Sequence, residues 1–266
     1  MSSVEAKICR AKEHFAQVQN EIDAWLGEGS FTAIYERNEA SDQHYLRARL
    51  TGNPPPVGKW ALILSDGMTN LRDSLDHLIY QISNEDVTNP WHPKAAFVIV
   101  REKSSFKGES KNKLASLSQA ARDAIEAFQP YNRPHHVVAP SLLGVLSEFA
   151  NTNKHKLLLP VFSVPLSLRF NVVTKGPSKG RIGTTAGKIE DGSIYFVYET
   201  DSPEPGTTLT FEKLEVDIAL PHKTVASVPA PLSGRSPTRL LAPAIIQEVE
   251  EAIKAVRTSL YVSRCE

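Results

Sequence analysis

Cysteine is nearly absent from this 266-residue chain: Cys9 and Cys265 stand near its two ends. They form no CxxC pair and no disulfide framework, which excludes a zinc ribbon and a disulfide-stapled secreted scaffold and points to free thiols inside a cell. Net charge is absent too, because 30 Lys and Arg balance 30 Asp and Glu. The chain is therefore no global polycation, and binding of nucleic acid would need a local basic patch. Long apolar runs are also missing. None approaches the roughly 18 residues of a membrane span, and the opening MSSVEAKICRAKEH is too polar for a signal peptide. A cytoplasmic protein with no membrane partner is expected. No internal repeat is visible. What is present, 41% hydrophobic and 23% charged residues, fits an ordinary globular protein with a substantial core.

Along the chain, apolar spacing near 3.6 predicts helices over Val4–Trp25, Trp60–Ile82, Leu114–Phe128, Ser141–Lys156 and Leu240–Tyr261. Phe31–Tyr35 and Tyr45–Leu50 read as two strands of a hairpin turned by ERNEASDQ. Asn84–Lys113 reads as mostly irregular, with a strand-like run at Ala95–Val100. After Lys156 the period changes to 2. Leu157–Val164, Leu166–Thr174, Ser193–Glu199 and Thr207–Leu220 then read as antiparallel strands, with a hairpin turn at Asp191-Gly192. Helices before and after a block of strands predict an α+β fold. It would be a helical bundle of about five helices with an antiparallel sheet formed mainly by residues 157–220. The expected organisation is one domain over 1–266. Its helical part covers 1–156 (with hairpin 31–50) and 237–264, and its β part covers 157–222.

Chemistry is best sought on the Trp60–Ile82 helix. Leu64, Met68, Leu71, Leu75, Leu78 and Ile82 mark its apolar face, and at about 100° per residue the opposite face carries Asp66, Asn70, Asp73 and His77. Surface helices usually carry Lys and Glu there. Here the stripe is made of short hydrogen-bonding groups ending in an imidazole. Asp73 and His77 are four apart, so the carboxylate can orient the ring as in a general base. Arg72 and Asp76, beside the stripe, have the same spacing. The Ser141–Lys156 helix echoes the arrangement. Leu142, Val145, Leu146 and Phe149 form one face, and Ser147, Glu148, Asn151, Lys154 and His155 the other. At the helix C-terminus the dipole favours a charged His155. One neutral and one charged imidazole would suit acid–base cleavage of a phosphodiester. Polar residues opposite an apolar stripe are also what any surface helix shows.

Other constellations are less specific. His77, His155, Asp73 and Glu148 could ligate a metal between two helices. The chain has no HExxH, ExxH or paired-Cys spacing, so no metal and no cofactor is expected. His135 and His136 are adjacent and would point apart in an extended loop. KGPSKGRIGTTAGK (Lys175–Lys188) holds four basic residues and no acid, but lacks both the Walker glycine spacing and its Ser/Thr. It reads as a basic hairpin tip able to touch a nucleic-acid backbone. Arg101–Lys113, with five basic and two acidic residues, reads similarly. No serine sits in a GxSxG elbow.

The run Arg72-Asp73-Ser74-Leu75-Asp76-His77 resembles the catalytic signature of HEPN ribonucleases, an Arg followed by a polar residue and, a few residues on, a His. That resemblance implies metal-independent RNA cleavage, commonly in a dimer that pairs two motifs. TNLRDSLDHL (Thr69–Leu78) and NTNKHKLLLP (Asn151–Pro160) also resemble a group of bacterial proteins of unassigned activity that share HNLR-x-ALDHL and N-x-DKHR helices. This second resemblance implies that Asn70, Arg72, Asp76, His77, Asn151, Lys154 and His155 belong to one constellation. The leading expectation is an RNA endonuclease, a toxin or defence effector, acting on RNA as a homodimer. His77 would be its acid or base, oriented by Asp73. Arg72 would grip the scissile phosphate, supported by His155 and Lys154, and Asn70 and Asn151 would position groups. The alternative is a non-catalytic binding module for a protein or a small anionic ligand.

Overall fold

The computed structural model describes residues 2–28, 31–38, 43–50, 52–85, 93–132, 141–155, 166–175, 180–184, 194–200, 208–221 and 235–262. Side chains are described over 2–28, 52–84, 93–132, 141–151 and 241–260, and at residues 34 and 36.

Helix α1 spans Ser3–Gly27, and its entry is fixed by Ser2, whose backbone N–H donates to Glu5 Oε2 at 3.1 Å. Its buried residues Val4, Ile8, Ala11, Phe15, Val18, Ile22 and Trp25 recur at steps of four and three, so one stripe faces inward. Helix α2 spans Val57–Glu85, nearly a turn longer at each end than the expected Trp60–Ile82. The prolines before it cannot continue a helix backwards. Trp60, Leu64, Met68, Leu71, Leu75 and Leu78 are fully buried along it. α1 lies against α2, and Gly67 makes the close approach possible: a Cβ there would meet the Phe15 ring at 2.9 Å.

Helix α3, Lys103–Lys113, falls where the sequence predicts irregular chain, because its single buried anchor, Phe106, gives no apolar period. Basic residues in its last turn, Lys111 and Lys113, complement the helix dipole. Helix α4 covers only Gln119–Ala127; the expected start at Leu114 gives way to Ser118, an N-cap whose Oγ accepts from the Ala121 N–H at 3.3 Å. Helices α5, Leu142–His155, and α6, Thr238–Val262, lie close to their expected positions. α6 packs against α1, α2, α4 and α5, and one apolar cluster runs from Val4 to Val256. Among the described residues, no helix is long and apolar enough to cross a membrane.

The expected α+β fold, with an antiparallel sheet over 157–220 as its second half, is overturned. The part described down to its side chains is 80% helical, and no sheet takes part in it. Among the side chains described, the core cluster draws its members from the helices and from the segments between them. The physical reason is that helix-period stripes on α1, α2, α4, α5 and α6, joined by Phe97, Val98 and Phe106, make up the described core. Period-2 sequence yields backbone ladders, which touch the helices at residues 208–221 and 235–237. Their strands are β1 Phe31–Asn38, β2 Gln43–Leu50, β3 Leu166–Lys175, β4 Gly180–Thr184, β5 Ile194–Thr200, β6 Thr208–Pro221 and β7 Arg235–Pro237. They fall into two groups, in the orders β1-β2-β5-β4 and β3-β6-β7. The 157–220 stretch thus contributes to two ladders instead of one sheet, and β5 pairs with β2 from the 31–50 region. The expected strand at 157–164 and the turn at 191–192 lie outside the described residues, as do His135, His136, Cys265 and most of the basic 175–188 run.

The strand-like run Ala95–Val100 is not a strand either. It crosses the helical body as a single extended segment, with Phe97 and Val98 each 1% exposed. A buried backbone without a sheet partner still requires hydrogen bonds, and side chains supply them. Gln129, itself buried, accepts from the Val100 N–H at 2.9 Å and donates through Nε2 to the Val98 carbonyl at 2.7 Å.

Candidate functional site

The buried side of α2 covers about half its circumference at 100° per residue, and the sequence-predicted residues lie on its two flanks. On one flank are Arg72 and Asp76. Arg72 Nη2 donates to Asp76 Oδ1 at 3.0 Å and to the Phe97 carbonyl at 2.6 Å. The same Asp76 oxygen accepts from the Phe97 N–H at 2.8 Å. Together the two side chains take both backbone groups of Phe97, as a neighbouring strand would. The Arg72 side chain is 14% exposed, and its Nη1 is buried without a hydrogen-bond partner among the described residues. Burial lowers the guanidinium's proton affinity, and the charges of Asp76 and Asp73 oppose that shift. A guanidinium stays protonated in such a setting.

On the other flank, Asp73 pairs with Lys7 of α1 at 2.9 Å, both about one-third exposed. Four residues on, His77 is half-buried, and among the described residues no hydrogen bond joins it to Asp73. Further along, Gln81 Nε2 donates to Ser3 Oγ at 3.1 Å. This flank thus borders α1. Asn70 is turned back on its own helix, donating through Nδ2 to the Asp66 carbonyl at 2.8 Å. Such local bonding is a common use of Asn inside helices.

Helix α5 packs against α2, which brings together the two polar helices singled out in the sequence. Asn151 is exposed on α5. Lys154 and His155 close the helix, but their side chains lie outside the described residues. Glu148 is held by Arg101 at 2.8 Å. Among the described residues, no group of three or more His, Cys, Asp or Glu is placed to hold a metal ion.

The arrangement has a plain chemical consequence. Arg72 faces the Phe97 backbone, while Asp73 faces Lys7 of α1, so the two do not converge on one point. Of the donors that a phosphate would require from Arg72, those on Nη2 are committed to Asp76 and Phe97, while Nη1 is buried. Sequence reasoning missed Gln129, which directly follows the predicted Leu114–Phe128 helix. The signal available was a polar residue directly after the apolar stripe of α4, where a buried side chain was due. Comparison with known protein families, with curated proteins and with solved structures finds no match.

Proposed function

We propose that this chain is a non-catalytic binding module for an anionic ligand, working in the cytosol. The observation that supports this reading is the closed set of bonds among Arg72, Asp76 and the Phe97 backbone. It gives the most suggestive residues of the sequence a structural task. Cleavage of a phosphodiester requires donors that face the place where charge develops, and those donors must be open before substrate arrives. Arg72 Nη2 is closed in this sense by its two bonds, and Nη1 by burial alone. Asp73, the intended orienter of His77, is engaged by Lys7.

A second reading, a metal-independent RNA endonuclease of HEPN type, is supported by His77. Its ring is half-buried and makes no hydrogen bond to Asp73, so it is open to a ligand, and a homodimer would supply a second one. Lys154, His155, Asn70 and Asn151 keep their proposed supporting roles in this reading only. The discriminating experiment is cleavage of a labelled RNA by purified protein without added metal. The binding-module reading expects no products from wild type or from His77→Ala. Products formed by wild type and abolished in His77→Ala would overturn it in favour of the nuclease.

A further inference from the structure

The chain is electrically neutral overall, so a cationic surface on it must be local. Residues 94–113 hold six Lys and Arg against two acids, Glu102 and Glu109. Two of the six cations are neutralised: Arg101 by Glu148 at 2.8 Å, and Lys113 by Glu109 at 2.7 Å. Lys94, Lys103, Lys107 and Lys111 are exposed and have no ion-pair partner among the described residues. Three of these follow one another at four-residue steps along α3. Such a spacing places them about 6 Å apart along the axis, drifting only about 40° around it per step. They form one ridge, on a different side of α3 from Glu109 and Lys113. Lys94 flanks its C-terminal end, because the Ala96 N–H donates to the Lys113 carbonyl at 3.4 Å.

The ridge has a stable base. Phe106 is 6% exposed and meets Tyr131 edge-on, with ring centroids 6.4 Å apart. The extended segment leading into α3 is fixed at Phe97 by Arg72 and Asp76, and at Val98 and Val100 by Gln129. The cations therefore stand on a positioned helix.

We propose that this ridge binds the repeating phosphates of a nucleic-acid strand, without reading its sequence. The inference rests on the binding-module reading and names its ligand. The chemistry of the ridge selects among anions. Lysines are point charges suited to phosphate, and evenly stepped ones match a partner of evenly stepped charge. A protein partner would call for an apolar or aromatic anchor at the centre of the patch. The exposed residues of α3 are Lys, Ser, Gly and Asn, and its one aromatic is buried. The same lack of apolar side chains leaves nothing to enter a lipid surface. No free Arg fork is present on α3 to grip a base edge.

The test is fluorescence anisotropy with a labelled oligouridylate and a labelled DNA duplex, titrated at several salt concentrations. Wild type is compared with a Lys103→Gln, Lys107→Gln, Lys111→Gln triple variant. All three positions are exposed, so the variant should melt close to wild type, losing only the small dipole contribution of Lys111. Expected is binding whose log–log salt slope falls in the variant by about 2 for a single strand or about 3 for a duplex. At moderate salt, affinity should weaken by about tenfold or more. Equal slopes in wild type and variant would overturn the assignment to α3 and leave the binding-module reading standing. Wild type that ignores both nucleic acids but binds phosphatidylserine vesicles or inorganic pyrophosphate would overturn the nucleic-acid assignment alone. Wild type that binds none of these probes would overturn both.

Discussion

Two pairs of residues on α2 share the same four-residue spacing and have opposite fates. Arg72 and Asp76 meet each other and together close on the Phe97 backbone. Asp73 and His77 make no such contact, and Asp73 turns to Lys7. Spacing on a helix therefore permits a pair without producing one. What decides is the neighbour. Beside Arg72 runs a buried extended segment whose N–H and carbonyl have no sheet to satisfy them, so leaving them unbonded would be costly. Beside Asp73 runs a solvated helix edge with a lysine on it, where any pairing is weak. One flank is held by necessity and the other by convenience.

The strongest way to break this comparison is Arg72→Ala. It removes the donor to the Phe97 carbonyl and the ion pair that the half-buried Asp76 makes with Arg72. Losing one member of such a pair costs about 3 kcal/mol. That is a fall in melting temperature of roughly 6–12 °C for a domain of this size. Thermal unfolding followed by circular dichroism would check it. A change within about 1 °C would mean that the bonds to Phe97 contribute nothing net.

The helical body is legible in the sequence because its evidence is repeated. Each of α1, α2, α5 and α6 carries several apolar residues at helical steps, and a misread residue or two leaves the stripe intact. α3 is illegible because Phe106 is its only anchor and a single residue has no period. The extended run Ala95–Val100 misleads in a different way. Apolar residues bounded by turn signals look alike whether the chain pairs with a strand or is held by side chains. The expected α+β architecture fails for a related reason: alternation signals pairing, but says nothing about whether the paired strands enter the core. In the candidate site, the i,i+4 pairing of Arg72 with Asp76 can be read from spacing. Their common partner Phe97 cannot, since it is 21 residues beyond Asp76 in a segment with no helical pattern.

The second test concerns how tightly the α1 side of α2 is packed. Gly67→Ala places a Cβ 2.9 Å from Cε1 of Phe15 and 3.1 Å from Cζ. The ring must shift, at about 1–3 kcal/mol for overpacking, while the better helix former returns about 1 kcal/mol. The net expectation is a loss of about 1 kcal/mol, or a melting temperature lower by about 2–4 °C. Combining it with Phe15→Leu should relieve the clash, so the pair should be less than additive. Strict additivity of the two changes would show that the helices are not in contact at Gly67.

The smallest effect is expected at Asp73, and its smallness is the point. Asp73 and Lys7 are about one-third exposed, and ion pairs of that kind contribute about 0–1 kcal/mol, part of it screened away by added salt. Asp73→Ala should therefore lower the melting temperature by no more than about 3 °C, and Lys7→Ala by a similar amount. The double variant should lose little more than either single one, because the second change removes a partner already idle. The two flanks of α2 would then differ in their sensitivity by several-fold despite equal spacing. A loss at Asp73 as large as that at Arg72 would mean that this flank also holds up the fold. His77 would then stand beside a structural carboxylate, and its openness to a ligand would have to be sought on the side away from α1.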